Sequence, residues 1–318
     1  MKDYKEAIIL LNMGGPNNLD EVEMFLKNMF ADKNILTMKS DSLRKFIGGM
    51  IVFNRVESSQ EIYRHLGGKS PIVDHTKALV KKLQDRFEND VIVDFAMRYT
   101  PPFADEVIKK INQYAIEKIY LIPLYPQYST TTTKSSLEDF EEHYHNSKAD
   151  AILVEIKHFF ENENYNKAII QSIKDSVASS DYRDFDMVFS AHGLPQKIVD
   201  AGDVYQRHIE KHVEILKEML ASEGMSFHDV HLAYQSKVGP LEWLKPSLDD
   251  KLKTIRNRGV VVFPLAFTID NSETDFELEV EYREIAEELG FKEYRVCRCP
   301  NDSDLFVDAL IDIYQKMK

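Results

Sequence analysis

The chain has 318 residues, 43% of them hydrophobic, and a formal net charge of −13. That length suits two domains or one large α/β unit. The acidic balance argues against a nucleic-acid binder, whose phosphate contacts need basic patches, and no window approaches the roughly 18 unbroken apolar residues of a membrane span.

The charged start, residues 1–6, leads straight into an apolar run, so no leader is expected and the location expected is cytoplasmic. Apolar, β-branched runs then recur at 7–12, 91–96, 118–124, 151–156, 187–190, 230–235, 260–266 and 293–298, each followed by a helical pattern. This rhythm predicts βα units and parallel sheet. Eight such units form either a closed barrel or two open four-stranded sheets.

The first run ends in Ile8-Ile9-Leu10-Leu11-Asn12-Met13-Gly14-Gly15-Pro16. Next, residues 33–55 run against the overall charge. Lys33, Lys39, Arg44, Lys45 and Arg55 face one acid, Asp41, among many apolar residues. Such a segment is either an ordinary core-facing helix or a basic, greasy lip that touches lipid or holds an apolar anion. Residues 129–136, Ser-Thr-Thr-Thr-Thr-Lys-Ser-Ser, read as a strand-to-helix loop with N-caps.

The fifth run ends in Met187-Val188-Phe189-Ser190-Ala191-His192-Gly193-Leu194-Pro195, a near copy of the first junction with His in place of Met. Two more junctions pair in order: residues 95–99 with 232–236, and 123–125 with 264–266. The separations of these two pairs nearly agree, and the first exceeds them by about 40 residues. A duplication explains this, with an insertion between the first two strands of the first half. The expected fold is therefore α/β: two similar Rossmann-like domains, each a four-stranded parallel sheet flanked by helices. The expected division is 1–150 and 151–318, with the last helix packing on the first domain. Met13 and His192 would then face one cleft.

His192 ends a buried strand, where α/β sites form, and imidazole accepts protons near neutral pH. The plainer reading is a histidine bonded to backbone at a turn. After the seventh run, Glu273, Glu277 and Glu281 recur every four residues and form one helical ridge. A solvated acidic face explains this too, but crowded carboxylates share protons and attract divalent cations. The pairs His143/His145, His208/His212 and His228/His231 read as solvated. Cys297 and Cys299 read as strand thiols rather than ligands. They fit a reducing compartment, exclude a disulfide framework, and cannot complete an iron–sulfur cluster alone. No glycine-rich phosphate motif supports nucleotide binding.

Taken together, several pieces resemble the ferrochelatase family, enzymes that insert ferrous iron into a porphyrin in haem biosynthesis. They are Leu11 to Pro16, Gly67-Gly68-Lys69-Ser70-Pro71-Ile72, Arg98-Tyr99, Tyr125-Pro126-Gln127-Tyr128-Ser129, Phe189 to Pro195, Tyr234-Gln235-Ser236-Lys237-Val238-Gly239-Pro240, Trp243-Leu244, Pro264 to Thr268, and Asp270 with Glu273-Thr274. The resemblance runs from Leu10 to Tyr282 in order and implies a two-lobed chelatase-like fold. It implies that His192 and Glu273 are the catalytic pair, that Glu277 and Glu281 extend their metal-handling ridge, and that Met13, Arg98, Tyr99, Tyr128, Ser236 and Trp243 contact porphyrin. The insertion becomes a lip with peripheral membrane contact. Three departures stand out. Asn271 replaces a histidine common among relatives. Thr130 occupies a loop position that is cysteine in cluster-binding relatives, and the chain stops at Lys318, so no cluster or other cofactor is expected and iron is a substrate. Met13 leans toward protoporphyrin IX, since coproporphyrin-using relatives tend to have tyrosine there. A sirohydrochlorin-type cobalt chelatase and a non-catalytic haem or metal carrier stay as rivals.

Overall fold

The structure, a computed structural model, describes residues 4–38, 40–87, 90–147, 149–237, 239, 241–256 and 259–318. Lys39, Val238 and Pro240, named above, lie outside the described residues. The chain forms two compact units, one of residues 1–158 and 310–318, the other of residues 159–309.

Unit 1 runs β1 (Glu6–Asn12), α1 (Glu21–Ala31), α2 (Asp41–His65), α3 (Ile72–Gln84), β2 (Val91–Met97), α4 (Ala104–Ile111), β3 (Lys118–Pro123), a π-helical turn (Thr130–Lys134), α5 (Ser135–Asn146) and β4 (Ile152–Glu155). Its sheet order is β2-β1-β3-β4, all parallel. The expected boundary at 150 moves because β4 pairs with β3 and so stays in this unit. The central strand, Glu-Ala-Ile-Ile-Leu-Leu-Asn, is buried on both faces, as a parallel strand between helices must be. Ala7, Ile9 and Leu11 pack with α4 and α5 residues such as Val107, Ile111 and Phe140. The edge strand β2 is covered differently. The Gln84 side chain donates to Val91 O at 3.1 Å and accepts from Val93 N at 2.9 Å, taking the place of a neighbouring strand.

The insertion is the α1–α2 pair. Ser40 caps α2, its hydroxyl accepting from Leu43 N. Val22, Phe25, Leu26 and Phe30 of α1 pack on Val52 and Tyr63 of α2 and on Tyr99. The close approach falls at Gly48, where a Cβ would lie 3.0 Å from Phe30 O. One face of α2 stays open: Leu43, Phe46, Met50 and Phe53 are exposed, Phe46 at 66% and Phe53 at 83%. The spacing of three and four residues puts all four on one side. Lys45 and Arg55 are exposed on other sides of the helix, whereas Arg44 is tied to Asp41, Ala31 O and Met38 O.

Unit 2 runs α6 (Glu163–Val177), β5 (Phe185–His192), α7 (Gln196–Asp200), α8 (Tyr205–Ser222), β6 (Val230–Gln235), α9 (Leu248–Thr254), β7 (Gly259–Pro264), a π-helix (Glu273–Glu281), α10 (Tyr282–Glu288), β8 (Glu293–Val296) and the first residues of α11 (Asp304–Met317). Its order, β6-β5-β7-β8, repeats that of unit 1 strand for strand. Val188, Val260 and Val262 pack on Leu248, Leu252, Leu278 and Ala286. At the edge strand β8, Arg283 donates to Tyr294 O at 2.8 Å. The last eight residues of α11, with Lys318, belong to unit 1, where Tyr314 bonds Glu6 and packs edge-on against Tyr120.

Candidate active site

In each unit the connection from the first strand leads to one side of the sheet and that from the third strand to the other. The crevice at the carboxyl ends of those two strands is where open α/β sheets bind ligands. In unit 2 these strands are β5 and β7. His192 is the last residue of β5, and Glu273 opens the π-helix that follows β7.

His192 Nδ1 lies 2.6 Å from Gly193 O. A carbonyl only accepts, so Nδ1 carries the hydrogen and Nε2 is the basic nitrogen. Nε2 faces Glu273 Oε2 at 3.5 Å. Tyr205 donates to His192 O at 2.9 Å, and Phe267 stands edge-on to the imidazole. The turn requires glycine at 193, where a Cβ would lie 2.8 Å from Gln235 O and 3.3 Å from the Trp243 ring. Trp243 thus braces the His192 turn, and Leu244 N bonds Leu194 O.

Ser236 follows β6 in the left-handed region, φ 64°. This backbone turns its N–H to Glu277 Oε1 at 2.8 Å and sets its hydroxyl between two carboxylates, 3.0 Å from Glu273 Oε2 and 2.6 Å from Glu277 Oε2. A hydroxyl has one hydrogen, and an ionised carboxylate only accepts. Both contacts are hydrogen bonds only when one of the two glutamates holds a proton. Behind them, Gln235 Nε2 donates to Glu277 at 3.2 Å and Ser190 donates to Gln235 Oε1 at 2.7 Å. Burial, and then the neighbouring Glu273, push the Glu277 carboxyl up to about 7. His192, Glu273, Ser236 and Glu277 therefore form one continuous line. Glu281 is exposed at the far end of the π-helix; partial burial and Glu284 raise its carboxyl too.

The ridge lies on a π-helix rather than the α-helix its spacing predicts. Single-turn π segments recur at functional sites in proteins. The turn before it is built by its own side chains. Asn271 Oδ1 accepts from Glu273 N at 2.8 Å and its Nδ2 donates to Ile269 O at 3.0 Å, so Asn271 is spent on backbone. Asp270 is buried and accepts from Cys299 N and Asn301 Nδ2. Among the described residues, no group of three or more His, Cys, Asp or Glu is arranged to hold a metal ion.

In unit 1 the equivalent strands are β1 and β3, followed by Met13 and by Tyr125 to Tyr128. Met13 is half-buried against the α1–α2 core, and Tyr128 is half-buried. Arg98 Nε donates to Ser135 Oγ at 3.0 Å, and its guanidinium faces Asp139 at 3.0 Å and Asp32 at 3.4 Å. Tyr99 is buried and donates to Asp32 Oδ2 at 2.8 Å; burial and Asp32 push its phenol well up. Tyr99 therefore supports Arg98 from beneath and offers no open face in this structure. Asp32 and Asp139 belong to no motif, and the sequence gives Ser135 and Gln235 no role at the site. Each becomes visible only when tertiary contacts bring its partner near.

Two of the solvated histidine readings change. His212 is fully buried, its Nε2 2.8 Å from Asn166 Oδ1, with Phe160 and Tyr165 rings against it. His231 is largely buried 3.5 Å from the buried Asp186. His143, His145 and His228 are on the surface, while His208 stacks on Phe160. Both cysteines are buried and free.

Parallel sheets of order 2-1-3-4, used twice, with an imidazole and carboxylates at one switch point, define a two-unit chelatase-type protein. The fold matches solved structures: SirB from Bacillus subtilis with Fe3+, TM-score 0.59 at 12% identity, covering 98% of this chain and 95% of that one, and CbiX, the terminal enzyme for biosynthesis of siroheme in denitrifying bacteria, TM-score 0.52 at 10% identity, covering 99% and 100%. The ferrochelatase family model matches residues 5–318. Curated ferrochelatases are similar over the full length: that of Sulfurimonas denitrificans is 68% identical, covering 99% of both chains. Those of Nitratiruptor sp. and Wolinella succinogenes are 52% and 46% identical, covering 98% and 97% of this chain and 100% and 98% of theirs. The chain belongs to the ferrochelatase family.

Proposed function

We propose that this enzyme inserts ferrous iron into protoporphyrin IX, giving protohaem and two protons. The observation that carries the chemistry is the line from His192 Nε2 through Glu273 and Ser236 to Glu277. A free porphyrin is flat and presents its nitrogen lone pairs poorly. Rim contacts that hold it bent offset strain of roughly 1–5 kcal/mol. Met13 presses on the ring, and His192 Nε2 takes a pyrrole proton. Glu273, already hydrogen-bonded through Ser236 to a carboxyl of raised pKa, receives it, so the histidine is reset for the second proton. Iron enters as a substrate along the acidic ridge, with Glu277 and Glu281 as oxygen donors. Arg98, Tyr128, Ser236 and Trp243 contact porphyrin, with Tyr99 behind Arg98; Arg98 or Lys45 pairs with a propionate. Met13 and its Leu-Asn-Met-Gly-Gly-Pro setting favour protoporphyrin over coproporphyrin. The open face of α2, on a helix that also exposes Lys45 and Arg55, makes a peripheral membrane contact.

The test is an anaerobic assay of protein, Fe²⁺ and either protoporphyrin or coproporphyrin, followed by loss of free-base fluorescence. Turnover is expected with protoporphyrin. His192→Ala should lower it by at least about 100-fold, the scale of a lost general base, and Glu273→Gln should cut turnover far more than porphyrin affinity. Near-normal turnover in folded His192→Ala defeats this mechanism. Faster turnover with coproporphyrin reverses the substrate assignment, and tight binding without turnover favours a carrier.

A further inference from the structure

We propose that Asp32 is a positioning residue for this reaction: it fixes the Arg98 guanidinium in the orientation that receives a carboxylate of the porphyrin. The inference rests on the reading of Arg98 as a porphyrin contact.

Asp32 ends α1, where the inserted segment turns toward α2. Its side chain is only 1% exposed. Oδ1 accepts from Asn34 N at 2.7 Å. Oδ2 accepts from Tyr99 OH at 2.8 Å and from Ser135 Oγ, and it faces Arg98 at 3.4 Å. A buried carboxylate needs a compensating charge as well as hydrogen bonds, and Arg98 supplies it. The dependence runs both ways. Ser135 Oγ takes the Arg98 Nε hydrogen while donating to Asp32, and Asp139 holds the far side of the fork at 3.0 Å. Below, the guanidinium carbon lies 5.1 Å from the centre of the Tyr99 ring.

These contacts set the plane of the guanidinium. Its five donors lie in a rigid fork, so fixing the plane fixes where the uncommitted N–H groups point. The Arg98 side chain keeps 22% exposure, so an edge remains open to a ligand. Two carboxylates already balance its charge. A third carboxylate is therefore received through geometry more than through net attraction, and a fork already ordered loses little side-chain entropy on binding. Asp32 also joins this fork to the insertion. Two residues on, Asn34 bonds Glu138 and Lys134 of the α5 region at 3.0 and 3.2 Å.

The test measures KM for protoporphyrin and kcat with Fe²⁺ for Asp32→Asn, Arg98→Lys and the double variant. Each single variant should raise the porphyrin KM at least about fivefold with kcat within about twofold, the pattern of lost substrate binding. The double variant should be no worse than Arg98→Lys alone, because both changes remove one interaction. Multiplying effects on KM mean that Asp32 acts independently of Arg98 and overturn the inference. An unchanged KM in Arg98→Lys overturns the porphyrin role of Arg98 and this inference with it. A raised KM in Arg98→Lys beside an unchanged one in Asp32→Asn overturns this inference alone. Should Asp32→Asn not fold, Ser135→Ala, which removes the hydroxyl shared by Asp32 and Arg98, takes its place in the same cycle with the same expectations.

Discussion

Ser236 has one hydroxyl hydrogen for two carboxylates, and this sets the proton inventory of the site. Glu277 holds the raised pKa because it is buried beside another carboxylate. A carboxyl raised from 4.5 to about 7 stabilises the fold below its unfolded value and loses that contribution as pH rises through 7. Replacing Glu277 by Gln removes the titration. Denaturant unfolding of Glu277→Gln and wild type should therefore show the difference moving in the variant's favour between about pH 5 and about pH 8. A difference that moves the other way contradicts the assignment of the proton to this pair. Of these residues, His192 and Glu273 are legible in sequence, because a strand end and a helix start carry them. The bonds of Gln235 and the double contact of Ser236 are not, since they depend on a left-handed residue after β6 and on the register of β6 against β5.

At the level of elements, the strands were readable from their β-branched runs, because a parallel strand buried on both faces leaves little alternative. The π-helix was not. Glutamates four residues apart fit an α-helix equally well, and the wider turn is fixed by packing rather than by side-chain type. The insertion lies between β1 and β2, and its core-facing reading holds in part: α2 packs Val52 and Tyr63 inward yet leaves Phe46 and Phe53 open. An exposed apolar face on a helix that also exposes basic side chains suits the interface of an anionic bilayer. Wild type should sediment with vesicles containing phosphatidylserine, less so at high salt. A Phe46→Ser, Phe53→Ser double variant should lose most of that binding while keeping iron insertion in detergent. Equal sedimentation of variant and wild type removes α2 as the contact.

For the whole molecule, the duplication was visible in three matched junctions, and the two sheets repeat one strand order. The boundary near residue 150 was misplaced because β4 is short and its allegiance is decided by pairing. His212 shows a similar limit: its helix pattern does not tell a solvated histidine from a buried one. Burial holds this imidazole down at about 3, against 6.5 in an open chain. A depressed histidine leaves the folded state neutral while the unfolded chain gains a proton. Stability should thus fall as pH drops below 6.5, by on the order of 3 kcal/mol at about pH 4. His212→Gln should flatten this acid limb in denaturant titrations, and an unchanged limb assigns the acid sensitivity elsewhere.

Gln84 occupies a carbonyl and an N–H of the outer strand β2, and Arg283 occupies one carbonyl of the outer strand β8. A sheet border with its main-chain groups already engaged offers no template for a foreign chain. Each half of the molecule therefore has one flank on which a polar side chain competes with fibril-like growth between neighbouring copies, most fully at β2.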